Sequence, residues 1–310
     1  TSCYANLIRD TELETKLEAL IAPMLEEAEI TPKVKVRVAL NSSFNAFVTG
    51  DNTIYVHSGL LLDAETLEEV VGVLAHELGH IASGHVARKA ESINKASNIT
   101  MLSTILATAA AIGGSGDIAA SVLVGGSDRA ARQFYYSSRT NEAVADEWAL
   151  KILDKLEIST NGMARMMQRL SQENALPESH QSEYYLTHPG TKQRLAVYED
   201  HLQHSGLKNA QMSDADYAGF RRIVAKLSAY QARPQLTIQA LTGEALTIDE
   251  RYKRAIAFFR YGDLTSAMQD IQILLSEEPE NPYFYELAGE TAFADRNLTS
   301  AIIYFDAAFE

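Results

Sequence analysis

The run from Leu67 to Lys89 holds His76-Glu77-Leu78-Gly79-His80 among apolar residues at helical spacing: Val70, Val71, Val73, Leu74, Ala75, Leu78, Ile81 and Ala82. Apart from Gly72, glycine and proline stay out of the stretch before the motif. At about 100° per residue, positions i and i+4 sit one above the other on a helix, so His76 and His80 project together. Two imidazoles on one face suit a tetrahedral zinc, and the glutamate between them can reach a water at the metal. The plain alternative is two core histidines that happen to fall four apart. Against it, Glu77 on a valine-rich buried helix is costly unless it has a task.

Composition bounds what surrounds this helix. At 310 residues the chain can bury one good core and a second, smaller domain. Hydrophobic content of 46% and charged content of 22% describe an ordinary globular chain, not a disordered one. The net charge of -14 argues against a nucleic-acid partner and leaves no basic patch for anionic lipid. Cys3 is the single cysteine, so an internal disulfide and a thiolate zinc site are both excluded. No apolar signal segment opens the sequence, and the expectation is that a signal peptide has been removed from this numbering.

Upstream of the motif, Asp10 to Ala28 predicts a helix with Leu13, Leu17, Leu20, Ile21, Met24 and Leu25 on one face. Lys33 to Ala39 alternates strictly and predicts a half-buried strand; Asn45 to Val48 and Thr53 to His57 predict two more, joined by a Gly50-Asp51-Asn52 turn. The strand at Asn45, Ala46 and Phe47 is expected at the sheet edge, where an extended peptide could add by strand pairing. Asp63 is the expected N-cap of the motif helix. His85 points away from the His76 and His80 face on a continued helix, and Ser83 and Val86 stand where a three-histidine metzincin pattern needs Gly and His, so His85 reads as a structural or surface histidine. Residues 98–126 are almost wholly apolar with Asp117 the one charge; they read as short helices or a loop folded over the domain, with peripheral membrane contact or gating of the cleft as the sharper alternative.

Downstream, Asn141 to about Lys155 predicts another helix, on which Glu142 and Asp146 fall four apart and share a face. Two histidines leave a zinc short of one protein ligand, and a carboxylate from a separate helix is the usual third; the next carboxylate along the face suits the second acceptor that a metal-bound histidine needs. Alone, this pair would read as a solvated helix face.

These motifs, His76-Glu77-x-x-His80 with Ser138-Arg139-x-x-Glu142-x-x-x-Asp146, resemble the gluzincin peptidases of the CAAX prenyl protease and HtpX-like type, and His188-Pro189-Gly190-Thr191-Lys192-Gln193-Arg194 matches their third landmark. The resemblance covers roughly residues 1–200. It implies a zinc endopeptidase with one zinc per chain, held by His76, His80 and Glu142. Glu77 would be the general base and Asp146 would lie behind the ligands, while His188 and Arg194 would border the cleft and meet the transition state. His188, on a loop ending in Pro189, is also chemically suited to be a fourth zinc ligand that keeps the enzyme latent. The long spanning helices of the integral members are missing from this sequence.

A self-match at a shift of 34 pairs Ala255 with Gly289, Leu264 with Leu298, Ala267 with Ala301 and Ile271 with Phe305, and Pro279 falls where a tetratricopeptide unit closes. The expected class is therefore α+β: a mainly helical zincin domain with a small sheet over residues 1–205, a helical connector over 206–250, and tetratricopeptide-like repeats over 251–310. A peptidase core with such a tail resembles the periplasmic BepA-type metalloproteases of Gram-negative bacteria. That resemblance implies a periplasmic, outer-membrane-associated protein, misfolded envelope proteins as substrates, and contact with outer-membrane assembly machinery through the tail. The rival expectation is a tetratricopeptide chaperone or scaffold whose zinc site is latent or vestigial; Glu77 speaks against a purely structural zinc, which needs no base.

Overall fold

The computed structural model describes residues 7–30, 33–84, 139–172, Tyr184, His188 and 191–309. The expectations for Cys3, His85 and residues 98–126 lie outside these. The described chain is mostly helical with one small sheet, an α+β arrangement, and it forms two compact units. One comprises Thr1–Arg9 and Leu17–Met212, the other Asp10–Lys16 and Ser213–Glu310.

The sheet of the first unit has the order β1-β2-β4-β3, with β1 Leu7–Ile8, β2 Lys35–Ala39, β3 Ala46–Val48 and β4 Thr53–His57. Strand β2 buries Val36 and Val38 and turns Lys35 outward, as its alternation requires. It runs parallel to β4, pairing Val36 with Ile54 and Val38 with Val56. Strand β3 pairs antiparallel with β4 and lies at the edge, in agreement with the sequence. Its bounds correct one detail: Asn45 falls just outside the strand, its carbonyl accepting from the His57 amide at 3.0 Å. The strand β1, too short to show a period, was not legible in the sequence.

From β4 the chain passes into the short helix α2 (Ser58–Asp63) and then α3 (Leu67–Ala82), which carries the His-Glu-x-x-His motif. Asp63 therefore ends α2 and does not cap α3. The extended backbone of Ala64 breaks the helix, and Thr66 is the N-cap without a side-chain bond to the helix; its Oγ1 accepts from Arg165 Nη2 at 2.7 Å. The Glu69 carboxylate instead accepts from the Glu65 amide at 3.3 Å. Every residue of α3 from Leu67 to His80 is buried, so this helix is the centre of the unit. Around it lie α4 (residues 139–155), α5 (Asn161–Gln172) and α6 (Thr191–His204). The remainder of α1 (Thr11–Glu27) buries Leu17, Leu20, Ile21 and Met24.

The second unit is all helical: α7 (Asp214–Gln231), α8 (Pro234–Ala240), α9 (Ile248–Tyr261), α10 (Leu264–Glu277), α11 (Pro282–Ala294) and α12 (Leu298–Phe309). Ser213 with Asp216 and Thr247 with Glu250 form reciprocal caps that start α7 and α9. The starts of α9 and α11, and those of α10 and α12, are each 34 residues apart. Tyr252, Ile256, Ile271, Leu274, Phe284 and Leu287 fill the core between these pairs. The first turn of α1 contributes Glu12, which is buried and accepts from Tyr252 Oη at 2.9 Å beside Lys226 Nζ at 3.1 Å. Among the described residues no helix is long and apolar enough to cross a membrane.

Candidate metal centre

Helix α3 brings His76 and His80 onto one face, as its period demands, with their Nε2 atoms 3.1 Å apart. Helix α4 crosses that face closely enough that a Cβ on Gly79 would lie 2.7 Å from the Ala145 carbonyl oxygen. Only glycine admits this approach, and its effect is to place Glu142 against both histidines. The Glu142 carboxylate lies 3.2 Å from His76 Nε2 through Oε2 and 3.5 Å from His80 Nε2 through Oε1. His188 completes a buried group of four, with one donor atom from each of His76, His80, Glu142 and His188 within 4.8 Å of one another.

These separations fit a metal. Ligands about 2.0–2.1 Å from a tetrahedral zinc are about 3.3–3.5 Å from each other, close to the spacing of the His76, His80 and Glu142 atoms. Two imidazole nitrogens and a carboxylate are also the donor chemistry that such an ion takes.

Asp146, one turn beyond Glu142 on α4, meets the other ring nitrogen of His76, with Oδ1 2.9 Å from Nδ1. An N–H at Nδ1 donating to this carboxylate leaves the Nε2 lone pair facing the cluster. Arg194 on α6 is 5% exposed and donates through Nε and Nη2 to Asp146 at 2.7 and 2.8 Å, and through Nη1 to Glu142 at 2.9 Å. Nη1 also donates to the His188 carbonyl at 3.3 Å. The guanidinium thus locks the two carboxylates of α4, a bidentate use that a lysine could not reproduce.

Burial would lift the Asp146 carboxyl, but the charge of Arg194 and the bond to His76 hold it well below the usual carboxylate range. Glu142 behaves likewise under His188, His76 and Arg194. Burial and the Arg194 charge press the His76 pKa down, yet the bonds to Asp146 and Glu142 outweigh them and raise it to about 9.

Glu77, 1% exposed, faces His188 with 3.3 Å between Oε1 and Nε2. Every residue the sequence nominated for the centre therefore meets in one buried cluster. Ala46 and Phe47 stand apart from it on the edge strand β3. Two further residues escaped the sequence reading. Tyr198 donates to Asp146 at 2.9 Å; its place four residues after Arg194 on the same helix was the available signal. Tyr184 stacks on the His188 ring at 4.1 Å between centroids, and no motif pointed to it.

Comparison with known proteins agrees with this geometry. The chain is 28% identical over 251 residues to a putative beta-barrel assembly-enhancing protease of Vibrio cholerae, covering 79% of this chain and 51% of that one. It is 24% identical over 269 residues to the beta-barrel assembly-enhancing protease of Escherichia coli, covering 84% and 54%. It is 30% identical over 175 residues to the metalloprotease LoiP of Escherichia coli, covering 56% and 65%. The chain spans about half the length of the two assembly-enhancing relatives. The family model of peptidase family M48 matches residues 9–201, which takes in α3, α4 and the Arg194 segment, and so the chain belongs to peptidase family M48.

Proposed function

We propose that this chain is a zinc-dependent endopeptidase acting on misfolded or misassembled envelope proteins. The observation that carries the reading is the approach of His76, His80 and Glu142 at 3.1–3.5 Å, with Glu77 buried beside them on the same helix. A zinc bound there supplies Lewis acidity toward a peptide carbonyl and makes water acidic enough to be used near neutral pH. Glu77 takes the proton from the attacking water and returns it to the leaving amine. Asp146 fixes the His76 tautomer, and Arg194 with Tyr198 holds Asp146 in place. Arg194 acts on the site by positioning these carboxylates. Strand β3 offers Ala46 and Phe47 as an edge against which an extended substrate can pair.

The burial of His188 among the three ligands supports a resting state in which it serves as a fourth ligand, and a latent enzyme follows from that. The paired helices of α9 to α12 have the period of tetratricopeptide units, and they are read as the surface for protein partners. The names of the relatives in Vibrio cholerae and Escherichia coli support a place in beta-barrel assembly, and with it a periplasmic location at the outer membrane.

The test compares wild type with Glu77→Gln. Both should bind one zinc by elemental analysis and melt alike, while casein cleavage falls by at least about 100-fold in the variant. Unchanged cleavage by Glu77→Gln would remove the base assignment.

A further inference from the structure

We propose that Tyr184 is a positioning residue for His188, acting through the face of its ring. The Tyr184 ring lies over the His188 imidazole with centroids 4.1 Å apart and an interplanar angle of 18°. The backbone adds a second tie, with the His188 amide donating to the Tyr184 carbonyl at 2.9 Å. Tyr184 is itself fully buried, so it has little room to follow a wandering histidine.

The stack is braced from behind. Phe44, just ahead of the edge strand β3, meets the Tyr184 ring edge-on at 6.3 Å and 83°. The Arg169 guanidinium sits 4.7 Å above the Phe44 ring and pairs with Glu69 at 3.2 Å. Glu69 is buried in the first turn of α3, the helix that carries His76, Glu77 and His80. The Glu69, Arg169, Phe44, Tyr184 and His188 side chains thus form one contiguous brace between that helix and the loop histidine. A histidine outside regular structure has two side-chain torsions to lose; covering one face of its ring with a buried aromatic removes much of that freedom and leaves Nε2 toward Glu77.

The kinetic arm of the test rests on the peptidase reading; the spectroscopic arm does not. In the full chain labelled at histidine, the His188 ring protons should resonate upfield because they sit over the face of Tyr184. Tyr184→Ala should return them to the ordinary histidine position, and Tyr184→Phe should leave them upfield. With an unstructured peptide as substrate, Tyr184→Ala should change kcat by about 5- to 10-fold in the same direction as His188→Ala, with KM held within about twofold. Tyr184→Phe should match wild type, and Tyr184→Ala combined with His188→Ala should match His188→Ala alone. An effect of Tyr184→Ala that persists undiminished when His188 is absent overturns the proposal, as does an unshifted His188 resonance in Tyr184→Ala. A Tyr184→Phe variant that behaves like Tyr184→Ala assigns the role to the hydroxyl and overturns it too. Should Tyr184→Ala fail to fold, Tyr184→Leu keeps apolar bulk without the ring and carries the same comparisons. If neither wild type nor His188→Ala cleaves anything, the peptidase reading fails and the resonance of His188 decides alone.

Discussion

Replacing Gly79 by alanine probes whether the close crossing of α4 over α3 builds the metal site. On helix propensity alone the change should stabilise by about 1 kcal/mol. Here the new methyl carbon would lie 2.7 Å from the Ala145 carbonyl oxygen and 3.0 Å from its Cα. Ordinary contacts of this kind need about 3.5 Å, so the α4 backbone must retreat by most of an ångström. No flexible side chain can yield in its place. Overpacking costs about 1–3 kcal/mol, which exceeds the propensity gain and leaves a net loss of up to about 2 kcal/mol. For a unit of this size each kcal/mol lowers Tm by about 2–4 °C. Ala145 lies between Glu142 and Asp146, so its retreat carries Glu142 off its 3.2 and 3.5 Å approaches to the histidines. Zinc affinity should fall by at least about 10-fold. Gly72→Ala is the control: its Cβ would stand 3.1 Å from the Met163 side chain, a looser contact far from Ala145, and zinc binding should survive. The assay pairs thermal melting by circular dichroism with zinc competition against a chromogenic chelator. A Gly79→Ala protein that melts higher than wild type and holds zinc equally well would refute the argument.

Three other perturbations follow. Glu142→Ala should lose zinc far more than His85→Ala by elemental analysis, and equal retention would reverse the ligand choice. Arg194→Met should cost the metal-free protein about 3–5 kcal/mol in chemical denaturation, because Asp146 and Glu142 then stay buried without their cation; an unchanged midpoint would deny that role. The Glu290 carboxyl in α11 is raised from its usual range by burial and by nearby Glu286, with Lys226 opposing. A raised carboxyl favours the fold while protonated and loses that contribution as pH rises through its folded value. Glu290→Gln should therefore raise Tm at pH about 7 and give no gain at pH about 4, near the ordinary carboxyl range; the opposite trend in melting would reject this sign.

The two residue pairs of the candidate centre were legible because helical period is local: spacing alone puts His76 over His80 and Glu142 over Asp146. The alternation of Lys35 to Ala39 was legible for the same reason. What sequence could not show was set by contacts between distant segments. Nothing local showed that Arg194, which the resemblance places at the border of the cleft, is 5% exposed and donates to two carboxylates. Tyr184 was hidden because a ring stack leaves no period. Asp63 was misplaced as a cap because Leu60 and Leu61 bury a separate short helix just ahead of α3. The sharing of α1, with Asp10–Lys16 in one unit and Leu17 onward in the other, leaves no trace in its heptad-like pattern.

The lock that Arg194 places on α4 also fixes the electrical state of the centre. Among the described residues, Glu77, Glu142 and Asp146 bring three buried carboxylates to this cluster, and Arg194 brings one permanent cation. With neutral imidazoles and ionised carboxylates the cluster carries two uncompensated negative charges, in surroundings where uncompensated charge is costly. A divalent ion supplies that difference; a monovalent ion leaves half of it, and a trivalent ion overshoots. Without metal, protons must fill the deficit, and His76, raised to about 9, is ready to hold one. Metal entry is then an exchange of protons for an ion of matching charge, so neutrality selects the divalent class before the number or geometry of ligands is considered.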